Sequence, residues 1–591
     1  MKKLLFPMLA IFVLLSGCGS GSGSHNTNPG IFVNPKSVSL GTSGKFQFKA
    51  SVVNEANTAV TWEVNGTVGG SALTGTIDQN GNFTAPLNVP ATNPVSVTAV
   101  SMADASLSAS SQVTIVPVTL NGQYAFQFSG TNGSSGGIFL FAGSITTDGA
   151  GDITSGIEDE LVANSNGAPS THVALTLSGT YTIGADGRGV ISMRNSRGEL
   201  LNLAFVLETS GHGQIIWFNN QANGSGTLDL QTSPFTLASL EGNSYAFGID
   251  GTDGRGFPFS IAGQFTVSKT GNISSGELDA NDGSIFITLA QSITGSLGAP
   301  DSNGRGVLTF SLTGTAQTIG FEYYIISPAQ IVLMETDNSN ALVGSVAQQT
   351  SNNFTANALV GKFVVSLGGQ DVFGLPIAEG GQFTAKVDGT ISGFVDENSG
   401  AFGPTTTVAL TGTSQNIAQN GRSTLTLNLP IGNGAPSTFT LYQASASQAF
   451  LLETDFTDFM SGPLLGQSGG PFNIASLTGN LGFQNSGISF GQNVILLPID
   501  NSGQFLGTAT GGISGNEDIN PPGTNPFSIA INKSSNFQFD STTGRSGTIT
   551  IDTANGISTP IVIYFISPTR FVIVGTDPNQ VTLGEGQSQP F

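Results

Sequence analysis

Short apolar runs ended by turn residues recur along almost the whole chain. Their lengths, and the Gly, Asn and Asp residues between them, are typical of β-strands. Asp-Gly and Asn-Gly pairs such as Asp186-Gly187 and Asn303-Gly304 favour tight hairpins that need positive φ. No amphipathic stretch with helical spacing is long enough to indicate a helix, so the pattern predicts an all-β chain. In one representative segment the predicted strands are 245–250, 259–268, 272–278, 285–290, 292–297, 306–313, 318–327 and 331–335, followed by a last segment at 342–348.

Four segments repeat the same landmarks in the same order at a period of about 120 residues, which is far longer than a solenoid repeat. The landmarks are Leu-x-Gly, then Gly-x-x-Asp, then Gly-Arg. Each copy is therefore predicted to be a domain, with bounds 118–238, 239–350, 357–468 and 475–591. The recurrent polar residues are Asp159, Asp279, Asp396 and Asp518, and Arg188, Arg305, Arg422 and Arg545.

Eight strands joined by hairpins predict a β-meander, and closing a meander into a barrel removes its exposed edges. An eight-stranded barrel has room for a packed interior or for one small ligand. The order of landmarks is similar in layout to avidin-like and lipocalin-like barrels, a resemblance that carries over no site residue. The alternative architecture is an eight-bladed propeller, with two four-stranded blades in each copy.

The segment 30–117 has a different pattern. It contains Pro35, a Phe46-x-Phe48 pair, the run 60–66 around Trp62, and the stretch 75–86. It resembles a bacterial Ig-like domain of the Big type, and this resemblance implies a spacer or adhesive module. Alternating strands of this length predict a β-sandwich with Trp62 between the sheets.

The N-terminus has the pattern of an export signal. Lys2 and Lys3 precede the apolar run 4–15, which is too short to span a membrane comfortably. Leu15-Ser16-Gly17-Cys18 resembles the lipobox of bacterial lipoproteins, which implies acylation of Cys18 and attachment to a membrane. An ordinary secretory signal is the alternative. We thus predict a signal peptide at 1–18 and a flexible Gly/Ser-rich tether at 19–29. The mature protein is predicted to be lipid-anchored in the cell envelope. Gly19, by resemblance to sorting rules, favours the outer membrane.

Composition narrows the possible chemistry. With 17 basic and 38 acidic residues, the chain lacks the clustered cations that nucleic acid requires. A single cysteine excludes internal disulfides and Cys-rich zinc sites. The three histidines, His25, His172 and His212, lie in no catalytic motif. We expect no cofactor and no metal, although Asp-rich turns at 148–152, 250–253 and 279–282 leave calcium open.

Paired carboxylates are the one catalytic alternative, because glycoside hydrolysis needs two acids facing a sugar. Candidates include Glu158 with Asp159, Glu277 with Asp279, and Glu453 with Asp455. We instead predict that the recurrent Asp and Arg residues are structural and pair with each other. They either flank an open barrel mouth that holds a ligand or lie over a filled barrel. The predicted function is non-catalytic: a surface protein with a structural, adhesive or ligand-binding role, whose partners are the membrane and a glycan or surface protein.

Overall fold

The computed structural model describes residues 28–132, 137–162, 172–283, 286–337, 340–350, 354, 359–428, 435–490, 496–508, 511–521, 523–534, 539 and 543–589. Cys18, the predicted signal peptide and most of the predicted tether lie outside these residues. The chain divides into two compact units, Met1–Ile115 and Val116–Phe591. No helix in the described ranges has both the length and the apolar character needed to cross a membrane.

The described part of the first unit consists of short strands in three sheets. Trp62 is buried in the core that they share, near Phe48 and Phe83. The sheet orders are β1-β4, β2-β11-β10-β5-β6 and β3-β9-β8-β7. Membership of the Big-type family stays a prediction. The strands are β1 Gly30–Asn34, β2 Ser37–Gly41, β3 Lys45–Gln47, β4 Lys49–Val53, β5 Val60–Val64, β6 Thr67–Val68, β7 Gly70–Ser71, β8 Gly75–Ile77, β9 Asn82–Thr84, β10 Val95–Ser101 and β11 Ser108–Val116.

The described part of the second unit forms four eight-stranded barrels, here called barrels 1 to 4. Consecutive strands pair antiparallel, except the fourth and fifth of barrel 4, and the first strand also pairs with the eighth. Barrel 1 comprises β12 Asn121–Asn132, β13 Ile138–Asp148, β14 Asp152–Val162, β15 Val173–Ile183, β16 Arg188–Asn195, β17 Leu200–Thr209, β18 His212–Trp217 and β19 Ala222–Leu230. Barrel 2 follows helix α1 Leu237–Leu240 and comprises β20 Ser244–Asp253, β21 Pro258–Val267, β22 Asn272–Asp282, β23 Phe286–Leu297, β24 Arg305–Leu312, β25 Thr318–Ser327, β26 Gln330–Glu335 and β27 Asn340–Gln348.

Barrels 1 to 3 are closed, whereas barrel 4 is an eight-stranded sheet whose edges meet at the bridge between Ile531 and Thr553. The propeller alternative is therefore wrong. Barrel 3 comprises β28 Gly361–Gln370, β29 Pro376–Ala385, β30 Thr390–Ser399, β31 Gly403–Ser414, β32 Arg422–Asn428, β33 Ser437–Ser445, β34 Gln448–Glu453 and β35 Phe459–Gly466. Barrel 4 follows a 3-10 turn at Ile474–Leu477 and comprises β36 Gly479–Phe490, β37 Leu496–Gly507, β38 Ile513–Asn520, β39 Phe527–Ser534, β40 Ile549–Asp552, β41 Ser558–Ser567, β42 Arg570–Gly575 and β43 Gln580–Ser588.

One prediction of strand boundaries in barrel 2 is wrong. The segments 285–290 and 292–297 belong to a single strand, β23, which is interrupted only by an irregular register near Ala290. Ala290 has φ of 52°, and its N–H donates to the side chain of Asp279 on the neighbouring strand instead of to a backbone carbonyl. The last predicted segment, 342–348, lies in β27, which closes the barrel against β20.

Apolar side chains fill the barrel interiors. In barrel 2, Phe247, Phe265 and Phe310 contact one another with ring centroids 5.4 to 6.0 Å apart. In barrel 1, Trp217 packs on Phe139 within the core. Equivalent clusters occupy barrels 3 and 4. This packing favours the filled-barrel alternative over a ligand cup inside each repeat.

The outer faces of several strands are apolar as well, because they pack against the neighbouring barrel. In β26, Ile331 and Leu333 point into barrel 2, whereas Val332 and Met334 point outward. The outward pair joins Leu140 of barrel 1 in a cluster between the two barrels. Similar clusters join barrel 2 to barrel 3 and barrel 3 to barrel 4. The four barrels are thus one packed body.

Candidate functional site

The recurrent Asp and Arg residues form ion pairs between successive barrels. Asp159 of barrel 1 accepts two hydrogen bonds from Arg305 of barrel 2, at 2.7 Å from Nε and 2.8 Å from Nη2. Such a fork is the strong geometry for guanidinium and carboxylate. The same arrangement pairs Asp279 with Arg422 and Asp396 with Arg545, and Asp518 of barrel 4 contacts Arg188 of barrel 1. The four ion pairs therefore link the four barrels in a closed cycle.

Local geometry explains why these residues meet. Each Asp lies on the outward face of the third strand, and each Arg follows a glycine with φ between 73° and 89° that turns the chain into the fifth strand. Cross-strand pairing then places a tyrosine opposite the arginine in barrels 2 to 4, as in Arg305 with Tyr324. The tyrosines Tyr324, Tyr442 and Tyr564 donate their O–H to Asp159, Asp279 and Asp396.

A second set of contacts, which sequence reasoning missed, reinforces the first. A glutamine directly after the eighth strand of each barrel donates its side-chain amide to two backbone carbonyls of the next barrel. Gln231, for example, bonds Asn303 O at 2.9 Å and Ile325 O at 2.6 Å. The set is Gln231, Gln349, Gln467 and Gln589, and the last reaches back to Asp186 and Leu207 of barrel 1. The sequence feature that could have revealed this set is the recurrence of Gln at one position of the repeat.

The contact between barrel 4 and barrel 1, here called the seam, differs from the other three. Val206 stands where the other barrels have tyrosine, and Asp518 receives only Arg188 Nη1, at 2.9 Å from each oxygen, and the Ser528 hydroxyl. Burial raises the pKa of Asp518 despite Arg188, whereas at Asp159 the bonds from His172, Arg305 and Tyr324 outweigh burial and lower the pKa. The carboxylate form of Asp518 at the seam is thus less well stabilised than that of Asp159.

Charged side chains of barrel 1 and barrel 4 also lie at the seam, where the Gln214–Glu585 hydrogen bond joins the two barrels. His212 lies 2.6 Å from Asp229 and 3.4 Å from Glu208, while Glu585 accepts from Gln214 at 3.0 Å and from Arg570 at 2.7 Å. Burial lowers the pKa of His212, but its two carboxylate partners raise it well above 6.5. Burial raises the pKa of Glu585, yet Arg570 and His212 lower it to about 2. The seam is therefore held by polar contacts.

A cavity of about 1310 Å³ lies among the four barrels, and every barrel contributes to its wall. The first, seventh and eighth strands of the barrels supply most of its lining. Uncharged polar side chains dominate the polar part of the wall: Gln127, Ser129, Ser345, Gln348, Ser366, Gln448 and Gln484. The ionisable lining residues are Asp229, Asp250, Lys362, Arg570, Glu585 and His212.

The candidate catalytic carboxylates do not face one another across this cavity. Asp159, Asp279 and Asp396 are fully buried beneath their arginines and tyrosines. Glu158 is buried beside Asn195, and burial raises its pKa to about 8. None of these groups has the exposed position that a glycosidase acid or nucleophile requires.

In the described part of the chain, the one trio of His or carboxylate groups at ligand spacing is Asp159, His172 and Glu322. Arg305 already contacts both of these carboxylates, so a second cation is disfavoured there. Among the Asp-rich turns, Asp148 accepts hydrogen bonds from three backbone N–H groups of its own turn. A turn-stabilising role therefore explains that aspartate without a metal.

Comparisons with known proteins add little. No family model matches the chain, and no curated protein matches it. Among solved structures it is similar to the isotype 1 transferrin binding protein B of serogroup B Neisseria meningitidis, with 10% identity and a TM-score of 0.17, over 63% of this chain and 82% of that one. A likeness at this level carries no argument about function.

Proposed function

We propose that this chain is a non-catalytic protein of the bacterial cell envelope, anchored through Cys18, that binds an oligosaccharide in the cavity among its four barrels. The observation that carries the proposal is the cavity itself, about 1310 Å³ in volume and lined by all four repeats. Ligand pockets of proteins commonly measure about 300–1,000 Å³, so the space suits a ligand of several sugar rings.

The chemistry of the wall supports a sugar ligand. Amide side chains such as Gln127, Gln348 and Gln484 each present both donors and acceptors, as sugar hydroxyls do. Because the repeats pack together and are cross-linked by ion pairs, the wall is preorganised, and preorganisation reduces the entropy lost on binding. The packed interiors of the barrels leave the shared cavity as the better site for a ligand.

The catalytic alternative lacks support from the candidate carboxylates, since the repeated aspartates are neutralised by arginine. The purely structural alternative remains as an outcome of the test. In that case the ring would act as a rigid body on a tether and bind no sugar.

The test uses a panel of soluble chito-, cello-, malto- and xylo-oligosaccharides with the purified full-length protein. Ser345→Trp places a bulky side chain in the cavity wall, and Ser296→Trp is the matched control on an exposed strand of the same barrel. We expect Ser345→Trp to weaken binding about tenfold or more, equivalent to about 1.4 kcal/mol, and Ser296→Trp to leave it unchanged. Absence of binding by the unmodified protein, equal binding by both variants, or release of new reducing ends would overturn the proposal.

A further inference from the structure

One end of barrel 3 concentrates acidic side chains inside the barrel. Glu379 on β29 and Glu397 on β30 are directly opposite each other in the strand register, both on the inward face. Glu453 ends β34, and Asp458 immediately precedes β35. We call this end, with its six residues, the acidic end of barrel 3; the residues are Asp371, Glu379, Glu397, Glu453, Asp455 and Asp458.

Two of these carboxylates are buried without adequate partners. Glu379 is 1% exposed, and neither of its oxygens accepts a hydrogen bond. Glu453 is fully buried; one oxygen accepts from Thr457 at 2.9 Å and the other has no partner. Buried carboxylates without compensation are costly and uncommon in folded proteins. Their position indicates a ligand that supplies positive charge.

Mutual repulsion adds to the cost of burial. Burial raises the pKa of Glu379 to about 8, with a further contribution from Glu397 and Asp458. Burial likewise raises the pKa of Glu397 to about 7 and that of Asp458 to about 6, each with help from neighbouring aspartates. Among the described residues, no lysine, arginine or histidine contributes to the pKa of these three groups.

Barrel 2 provides an internal comparison, because its equivalent end contains a cation of its own. Arg255 contacts Asp253 and Asp282, at 2.6 Å in both cases. The position equivalent to Arg255 in barrel 3 is Phe373, which is 66% exposed. The register pair equivalent to Glu379 and Glu397 is the apolar pair Ile261 and Ala280. Compared with barrel 2, barrel 3 thus lacks the arginine and has two additional buried acids.

We propose that the acidic end of barrel 3 binds a divalent cation of the calcium type, with Glu379, Glu397, Glu453 and Asp458 as ligands. Calcium takes six to eight oxygen ligands in flexible geometry, and these carboxylates, together with the Thr457 hydroxyl and water, supply that number. No trio of these carboxylates is drawn to within ligand spacing in the described structure. Binding therefore requires these carboxylate side chains to change rotamer and converge on the ion.

The test is a titration of the chelator-treated, full-length protein with CaCl2, followed by thermal unfolding and by proton release in weak buffer. We expect a dissociation constant of about 10⁻⁴ to 10⁻³ M, the range of extracellular calcium modules. Saturation should raise the unfolding temperature by roughly 2 °C or more, and binding near pH 7 should release protons, because carboxyl ligands must be deprotonated. MgCl2 should have a weaker effect, since magnesium demands stricter octahedral geometry.

Two variants identify the site. Glu379→Gln should abolish the calcium response and also raise the unfolding temperature of the metal-free protein, because it removes an unpaired buried acid. Phe373→Arg, which introduces the arginine of barrel 2, should have the same two effects. Glu335→Gln is the matched control: it changes the acid of barrel 2 at the position equivalent to Glu453 and should leave the calcium response intact.

Two results would overturn the proposal. One is a calcium response that persists in Glu379→Gln and Phe373→Arg. The other is no response to any divalent cation in the unmodified protein while lowering the pH alone stabilises barrel 3, which would mean that protons neutralise the carboxylates. Neither result bears on sugar binding in the central cavity, since the cavity lining includes none of these acids.

Discussion

The ion pair between barrels 2 and 3 offers a sharp test of how the repeats are held together. Asp279 is fully buried and accepts four hydrogen bonds: two from Arg422 at 2.8 Å, one from the Tyr442 hydroxyl at 2.6 Å, and one from Ala290 N at 2.8 Å. Asp279→Asn preserves the shape of the side chain but removes its charge and replaces one acceptor with a donor. Arg422 then keeps only Glu277, 3.3 Å from its Nε, as a carboxylate partner in a largely buried site.

The expected cost follows from breaking one partner of a buried pair, which is about 3–5 kcal/mol. The isosteric change creates no cavity, so we expect the lower end, about 3 kcal/mol. Asp518→Asn at the seam should cost about 1 kcal/mol or less. Its carboxyl receives no tyrosine, and burial raises its pKa, so the folded protein gains less from the charge there.

Hydrogen exchange measured by mass spectrometry reports opening at each contact separately. A loss of about 3 kcal/mol corresponds to roughly 100-fold faster opening of the β22 and β33 peptides, which carry Asp279 and Tyr442, in Asp279→Asn. The double variant Asp279→Asn with Arg422→Met should recover much of the loss, because no buried charge remains unpaired. Equal effects of Asp279→Asn and Asp518→Asn, or additive losses in the double variant, would refute the reasoning.

Three further predictions follow from the seam, the N-terminus and a barrel core. The folded pKa of His212 is raised, so its stabilisation of the seam is complete below about pH 6.5 and is lost as the pH rises through the folded value. The protection of β18 against hydrogen exchange, corrected for the intrinsic rise of the exchange rate with pH, should therefore fall at alkaline pH in the unmodified protein but stay constant in His212→Gln. Cys18→Ser should move the protein from the membrane fraction to the soluble fraction and remove the acyl mass; unchanged membrane association would place the anchor elsewhere. Phe310→Ala should cost about 3–5 kcal/mol in a urea titration if barrel 2 is filled, and a cost below about 1 kcal/mol would indicate an open interior.

Much of the fold was predictable because hairpins are local. The turn pairs, the strand lengths and the fourfold recurrence of landmarks together predict all-β repeats, and the described strands confirm that architecture. The irregularity at Ala290 was not predictable, since its positive φ depends on the Asp279 carboxylate that captures its N–H. No residue type in that stretch marks the bulge.

The partners of the recurrent residues were harder to predict. Recurrence shows that Asp159 and an arginine belong to the same structural unit, but it does not show which copy supplies the arginine. Arg188 is the nearer candidate along the chain, yet Arg305 of the next barrel makes the contact, 146 residues away. The outward apolar residues carried that information: Val332 and Met334 needed a partner surface, and the neighbouring barrel provides it.

The closing of the series explains why the seam differs from the other contacts. A heterologous interface repeated by a constant rotation closes into a ring, and here four copies on one chain complete it. Covalent connection keeps the first three pairs of neighbours at high effective concentration, so apolar packing forms there without competition. Barrel 4 and barrel 1 are not consecutive along the chain, and apolar surfaces left open on those two barrels would invite association with other molecules. A polar seam with Arg188, His212 and Glu585 avoids exposed apolar patches while the ring is open, and still specifies the correct neighbour through charge complementarity.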